Sequence, residues 1–187
     1  QRPRVGSGAD PEVMFPVDPT TELGVPANFL PGRGALLVDV GGSPYVYAYS
    51  CNTTFWSIQS CGVGRAAWEE AADPAAWSVW SGEGWTSDFT RMEFLFQTIF
   101  DGGFTVYWND AIGAYVAWLP LGANGVGITT APEPQGPWSR VVTVADPEVD
   151  VGDALAHPEL GTPGVEYVSI GSGTARTLWE VRYDCEG

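Results

Sequence analysis

Three runs of similar look recur along the chain: YVYAYS at Tyr45 to Ser50, YVAWLP at Tyr115 to Pro120 and YVSIGS at Tyr167 to Ser172. They lie about 50–70 residues apart, a spacing that points to a repeated supersecondary unit. Each is short, rich in β-branched and aromatic residues, and bounded by Gly, Pro, Asn or Asp, as strands are. Further strand-like runs surround each one. The first round reads ALLVDV (Ala35 to Val40), YVYAYS, CGVGRAAW (Cys61 to Trp68) and AAWSVWSG (Ala75 to Gly82). The second reads FTVYWN (Phe104 to Asn109), AYVAWLP (Ala114 to Pro120), GVGITTAP (Gly125 to Pro132) and WSRVVTVA (Trp138 to Ala145). The third is shorter, with DALAHPEL (Asp153 to Leu160), VEYVSIGS (Val165 to Ser172) and TLWEVRYD (Thr177 to Asp184).

Units of four antiparallel strands at this period are the pattern of propeller blades. No window carries a sustained helical apolar pattern, and 24 Gly with 15 Pro punctuate the chain, so the fold class is all-β. A length of 187 residues with 44% hydrophobic residues suits one domain with a real core. We divide it into a Pro-rich arm, 1–33, and propeller-like blades over 34–187, at about 34–88, 89–146 and 147–187. In such an array the second strand of a blade lies mid-sheet between its neighbours. Tyr107, Trp108, Tyr115 and Trp118 are therefore expected to fill the gaps between blades, and Trp138 of the GPWS tag to pack back over its own.

The formal charge is −15, from 8 Lys and Arg against 23 Asp and Glu. Such a surface repels phosphate backbones and anionic lipid, so neither nucleic acid nor membrane is expected as partner. The acids are scattered, form no calcium-loop run, and read as a solvated surface. Three Cys and one His at unrelated spacings match no zinc pattern, so no metal is expected. No phosphate-binding loop, dinucleotide fingerprint, serine-hydrolase elbow or zincin motif occurs, and no cofactor is expected. No run of apolar residues is long enough to span a membrane as a helix. A chain that begins at Gln1 reads as a mature or excised form, compatible with export.

Cys51 and Cys61 lie ten residues apart around a loop between two neighbouring strands. They read as a hairpin-closing disulfide, with two buried free thiols as the other account. The disulfide reading places the protein outside the cell or on its surface. Cys185 is left over, free or paired elsewhere. Asn52-Thr53-Thr54 is a glycosylation triplet, of a kind that also arises by chance.

Taken in order, these runs resemble the five-bladed β-propellers of the glycoside-hydrolase type, which include arabinanases, xylosidases and a branch with members acting on D-arabinan. The resemblance rests on YVYAYS with VGRAAWEEAADPAAWSVWSGEGW, on FTVYWNDAIGAYVAWLP with TTAPEPQGPWS, and on AHPEL with GVEYVSIGS, and it covers Gly34 to Asp184. It implies a carbohydrate ligand and, for an enzyme, carboxylates converging on a central pocket as base, acid and tuning group. Glu93 and Asp101, which precede the inner strand of the second round, are the catalytic candidates. Asp101 with Gly102 and Gly103 also reads as a plain turn. The resemblance puts His157 near the axis, where it would bond a sugar hydroxyl or a carboxylate; a structural His is the other reading. Phe55 and Trp56, in the loop that the two cysteines flank, would offer a sugar platform or simply cap their own blade.

Three blades are fewer than a closed ring of this type holds. The expected array is therefore incomplete or completed by another chain, and the functional alternatives are a carbohydrate-binding or carbohydrate-active module and a non-catalytic assembly module that self-associates through open blade edges. Glu12 to Val17 pairing beside Thr177 to Tyr183 is the self-contained alternative to a partner chain at that edge.

Overall fold

The computed structural model describes residues 33–55, 58–99, 102–145 and 150–183. Among these the fold is all-β, with three antiparallel sheets and, as the only helical elements, four single turns of 3-10 helix. The arm over 1–32, the proposed strand Glu12 to Val17, Trp56, Asp101 and Cys185 lie outside the described residues, as does the side chain of Phe55.

The first sheet contains β1 (Gly34–Val40), β2 (Ser43–Phe55), β3 (Ile58–Ala67), β4 (Ser78–Trp80), β5 (Trp85–Thr86) and β6 (Phe96–Ile99). Gly41 and Gly42 turn β1 into β2 with φ of 63° and 88°, a left-handed pair that other residues adopt only with strain. β4 and β6 share one edge of β3, β6 pairing with Ile58 to Cys61 and β4 with Gly64 and Arg65. This corrects the expected boundary at residue 89, because β6 completes the first sheet and does not open the second. The fourth strand of the first round is also shorter than its apolar run. Asp73 accepts a hydrogen bond from the Ala75 N–H and Pro74 opens a 3-10 turn, so the strand is confined to Ser78–Trp80.

β7 (Thr105–Asn109), β8 (Ala114–Pro120), β9 (Val126–Ala131) and β10 (Val142–Ala145) form the second sheet as a meander in chain order. β11 (Asp153–Ala156), β12 (Val165–Ser172) and β13 (Ala175–Arg182) form the third. Pro158 ends β11 and starts a 3-10 turn, which is why only half of the run DALAHPEL is strand.

The second sheet is packed on both faces. Ala117 and Leu119 of β8, with Phe104 and Val106, meet Tyr47, Tyr49, Cys61, Val63 and Phe96 of the first sheet. Val116 and Trp118, on the opposite face of β8, meet Val151, just before β11, and Ala154, Ala156, Val168 and Ile170 of the third. Each of these larger side chains stabilises by about 1.5–3 kcal/mol on burial. Trp138 packs against the first of these layers, its ring 5.2 Å from Phe96.

The first strands of the three sheets come together at one edge. The Phe104 N–H donates to the Arg33 carbonyl at 3.3 Å, and Phe104 forms a parallel bridge with Ala154. The Ala154 N–H donates to Gly103 O at 3.1 Å, and Asp153 accepts from the Gly103 N–H at 2.9 Å. Gly102 passes so close to the Gly152 carbonyl that a Cβ there would collide with it. No larger residue fits without displacing one backbone from the other.

Cys51 and Cys61 face each other in the β2–β3 ladder, with Cα atoms 4.0 Å apart, and form a disulfide. Joining residues ten apart removes about 2–3 kcal/mol of chain entropy from the unfolded state. Replacing both by Ser is expected to lower the unfolding free energy by that amount in urea denaturation. A double variant as stable as the oxidised wild type would show that the staple contributes nothing.

Candidate functional site

β7 ends on Asn109, and this residue shapes the turn that follows it. Its side-chain oxygen accepts from the N–H groups of Ala111 and Ile112 at 2.9 and 3.1 Å, and Gly113 closes the turn with φ of 69°. The amide nitrogen is thereby aimed away from the turn, and donates to Glu166 Oε1. Glu166 is the second residue of β12 and lies on the face that carries Val168 and Ile170 into the core, so the residue is only 6% exposed.

A buried carboxylate is costly unless donors surround it. Tyr183 donates its hydroxyl to Glu166 Oε2 at 2.6 Å and Trp118 its indole N–H to the same oxygen at 3.2 Å. The Trp118 N–H also reaches the Tyr107 hydroxyl at 3.3 Å. Donors thus converge on both carboxylate oxygens, which is the arrangement of an anchored acceptor rather than of a proton donor.

Glu166, Asn109 and Tyr107 of this knot line a cleft of about 210 Å³ at the end where β7 and β11 finish. One wall is the β7–β8 turn, with Trp108 and Asp110; the other is the loop from Pro158 to Val165. Trp108 is 46% exposed, its indole N–H donating to Asp110 at 2.9 Å and its ring edge-on to Tyr115 at 5.1 Å. Of the four aromatics expected between the sheets, Trp118 is fully buried there, whereas Trp108 faces solvent at the rim.

The residues proposed from sequence are not gathered in this cleft. Glu93 is exposed on the loop entering β6, its N–H bonded to Trp80 O at 2.8 Å. His157 is half-buried on the outward face of the third sheet, with Nε2 2.6 Å from Ser169 Oγ and Nδ1 3.4 Å from Glu159. The second sheet stands between the sheets that carry them. Asn52 is half-buried in the β2–β3 ladder opposite Ser60, next to the disulfide. Among the described residues no three His, Cys, Asp or Glu side chains are gathered as a metal set, and no helix is long and apolar enough to cross a membrane. Glu166 was missed by sequence reasoning, although its signal was present: an acid two and four residues before Val168 and Ile170, in the register of a buried face.

Comparison of the sequence with known protein families and with curated proteins finds no match to either.

Burial first, and then the hydrogen bond to Glu166, push the Tyr107 and Tyr183 phenols far above the usual tyrosine value. The folded state therefore keeps both protons at pH values where the unfolded chain loses them. Stability from this source is complete below the ordinary tyrosine pKa of about 10, and is lost as pH rises from there toward the folded values. Denaturation midpoints followed from pH 8.5 upward are expected to fall beyond about pH 10, and to fall less steeply in Tyr183→Phe. Equal slopes in variant and wild type would remove the cluster from this role.

Proposed function

We propose that the three sheets are successive blades of a propeller-like array and that the protein is an extracellular carbohydrate-binding module, with a single sugar ring seated in the Glu166 cleft. The side-by-side first strands, with a parallel bridge from Phe104, just before β7, to Ala154 of β11, support the blade reading. The cross-strand disulfide supports an oxidising compartment.

The observation that carries the sugar reading is the make-up of the cleft. A buried carboxylate and an amide form its floor, Pro158 and Pro163 give apolar wall, and an exposed Trp paired with a carboxylate stands at its rim. Sugars are held by this combination of planar hydrogen-bonding groups with flat apolar surface. A volume of about 210 Å³ is below that of pockets for drug-sized ligands, ~300–1,000 Å³, and suits one ring. Binding is favoured over hydrolysis because cleaving a glycosidic bond needs one carboxyl that carries a proton to the leaving oxygen. Glu166, enclosed by donors, is placed to accept.

Calorimetric titration with arabinan and xylan oligosaccharides tests this directly. Binding by the wild type, and its loss by tenfold or more in Trp108→Ala, roughly the cost of a stacking contact and its hydrogen bond, is the expected result. Turnover of any oligosaccharide by the protein would replace binding with catalysis, and no binding across the panel would remove the reading.

A second reading, assembly through an open blade edge, is favoured by a groove of about 270 Å³ between the outer strands of the second and third sheets. Val126, Val144, Val168, Ile170, Trp179 and Val181 line it, beside β13. An apolar groove alongside a strand that, among the described residues, is at the edge of its sheet suits an added strand from a second copy of the chain. Light scattering over a concentration series is expected to show a monomer–dimer equilibrium if this holds. A monodisperse monomer at all concentrations would exclude it.

A further inference from the structure

Arg65, midway along β3, is held by aromatic rings on the face of the first sheet that looks toward the second. Its guanidinium carbon lies 4.1 Å from the centre of the Trp85 ring, 5.0 Å from that of Tyr45 and 6.0 Å from that of Tyr47. One Nη donates to the Tyr47 hydroxyl at 3.1 Å. Trp80 stands edge-on to Trp85 with centroids 5.5 Å apart, extending the aromatic surface. In a chain with 23 acidic and 8 basic residues, a guanidinium readily finds a carboxylate. Arg176 meets Asp153 at 2.8 Å and Arg182 meets Glu180 at 2.7 Å. Arg65 meets none among the described residues, and its position is set by rings instead.

We propose that Arg65, caged by Tyr45, Tyr47 and Trp85, is a second binding site that takes the carboxylate of a uronate residue within an otherwise neutral oligosaccharide. The guanidinium is a rigid fork of donors matched to a carboxylate, and only one of its nitrogens is occupied by the Tyr47 hydroxyl. Stacking leaves the fork charged and fixed in orientation, which lowers the entropy lost on binding. Arg65, Tyr45, Trp80 and Trp85 are all half-buried, so part of each remains at the surface, and the rings next to the fork offer flat apolar area for the sugar that bears the acid. The net charge of −15 restricts the ligand to a sparse acid, since a polyanion is repelled before it reaches a single Arg.

This inference rests on the carbohydrate reading, and one titration separates the two. The probes are a neutral xylo-oligosaccharide and the same oligosaccharide carrying one glucuronate, against wild type, Arg65→Gln and Arg65→Lys. Thermal melting confirms that each variant is folded. In the wild type the acidic form is expected to bind about 10–100-fold tighter, the usual span for a hydrogen-bonded charge. That ratio should fall to near one in Arg65→Gln with neutral binding kept, and lie between in Arg65→Lys, which has the charge without the fork. A chemical-shift change at the Arg65 guanidinium on adding methyl glucuronate, but not methyl glucoside, is the matching spectroscopic result. Equal affinity of the two oligosaccharides for the wild type, or equal loss of both in Arg65→Gln, overturns the uronate site and leaves the cleft standing. Failure of both oligosaccharides to bind overturns both.

Discussion

β8 is buried on both faces, and the remaining packing follows from that. A strand between two layers has to present apolar side chains at every position, not at alternate ones. Ala114 to Pro120 does so, with Ala117 and Leu119 toward the first sheet and Val116 and Trp118 toward the third. The indole of Trp118 brings one polar atom into this layer. Its N–H needs an acceptor there, and Glu166, arriving on β12, supplies one. A tryptophan large enough to fill the space between two sheets thus comes with a carboxylate, and the carboxylate comes with Asn109 and Tyr183. The candidate cleft lies where this polar thread reaches the surface.

What could be read beforehand followed the reach of the interactions concerned. β8 and β12 have the limits that their apolar runs indicate, because a strand held on its own pattern needs no distant information. β6 is different. Phe96–Ile99 has a clear strand pattern, but its partner is Ile58 to Cys61 of the first sheet, some 37 residues earlier, and no local signal distinguishes that edge from the next meander. Trp108 and Trp118 likewise look alike as residues in neighbouring strands. One turns to solvent at a hairpin end and the other into the layer, which depends on register and not on composition.

The candidate residues show the same division. Glu93 and His157 were chosen for their chemistry and their place before a strand, and the fold puts the second sheet between the sheets that bear them. Glu166 carries its signal in parity, as an acid in the buried register of its own strand. Arg65 had no comparable sign. Its cage takes Tyr45 and Tyr47 from β2 and Trp85 from β5, and these meet only once β2, β3, β4 and β5 are paired in register.

Among the described residues, the two outer faces of the three-layer stack are finished by different means. The first sheet covers its outer face with its own chain. Trp77, Phe89 and Met92 from the segments around β4 and β5 pack on Ala48, Ala66 and Val79. The third sheet instead makes its outer face polar, with the Asp153–Arg176 pair, the Tyr167–Glu180–Arg182 chain and the His157–Ser169 bond spread across it. Leu155 and Leu178 are exposed among them but do not form a continuous apolar layer. A face of that kind resists stacking of another sheet, as the polar outer face of a terminal repeat does. Among the described residues, the third sheet keeps its apolar side chains for the face that carries Val168, Ile170, Trp179 and Val181, and these line the groove that runs from Trp179 to Val144 of the second sheet.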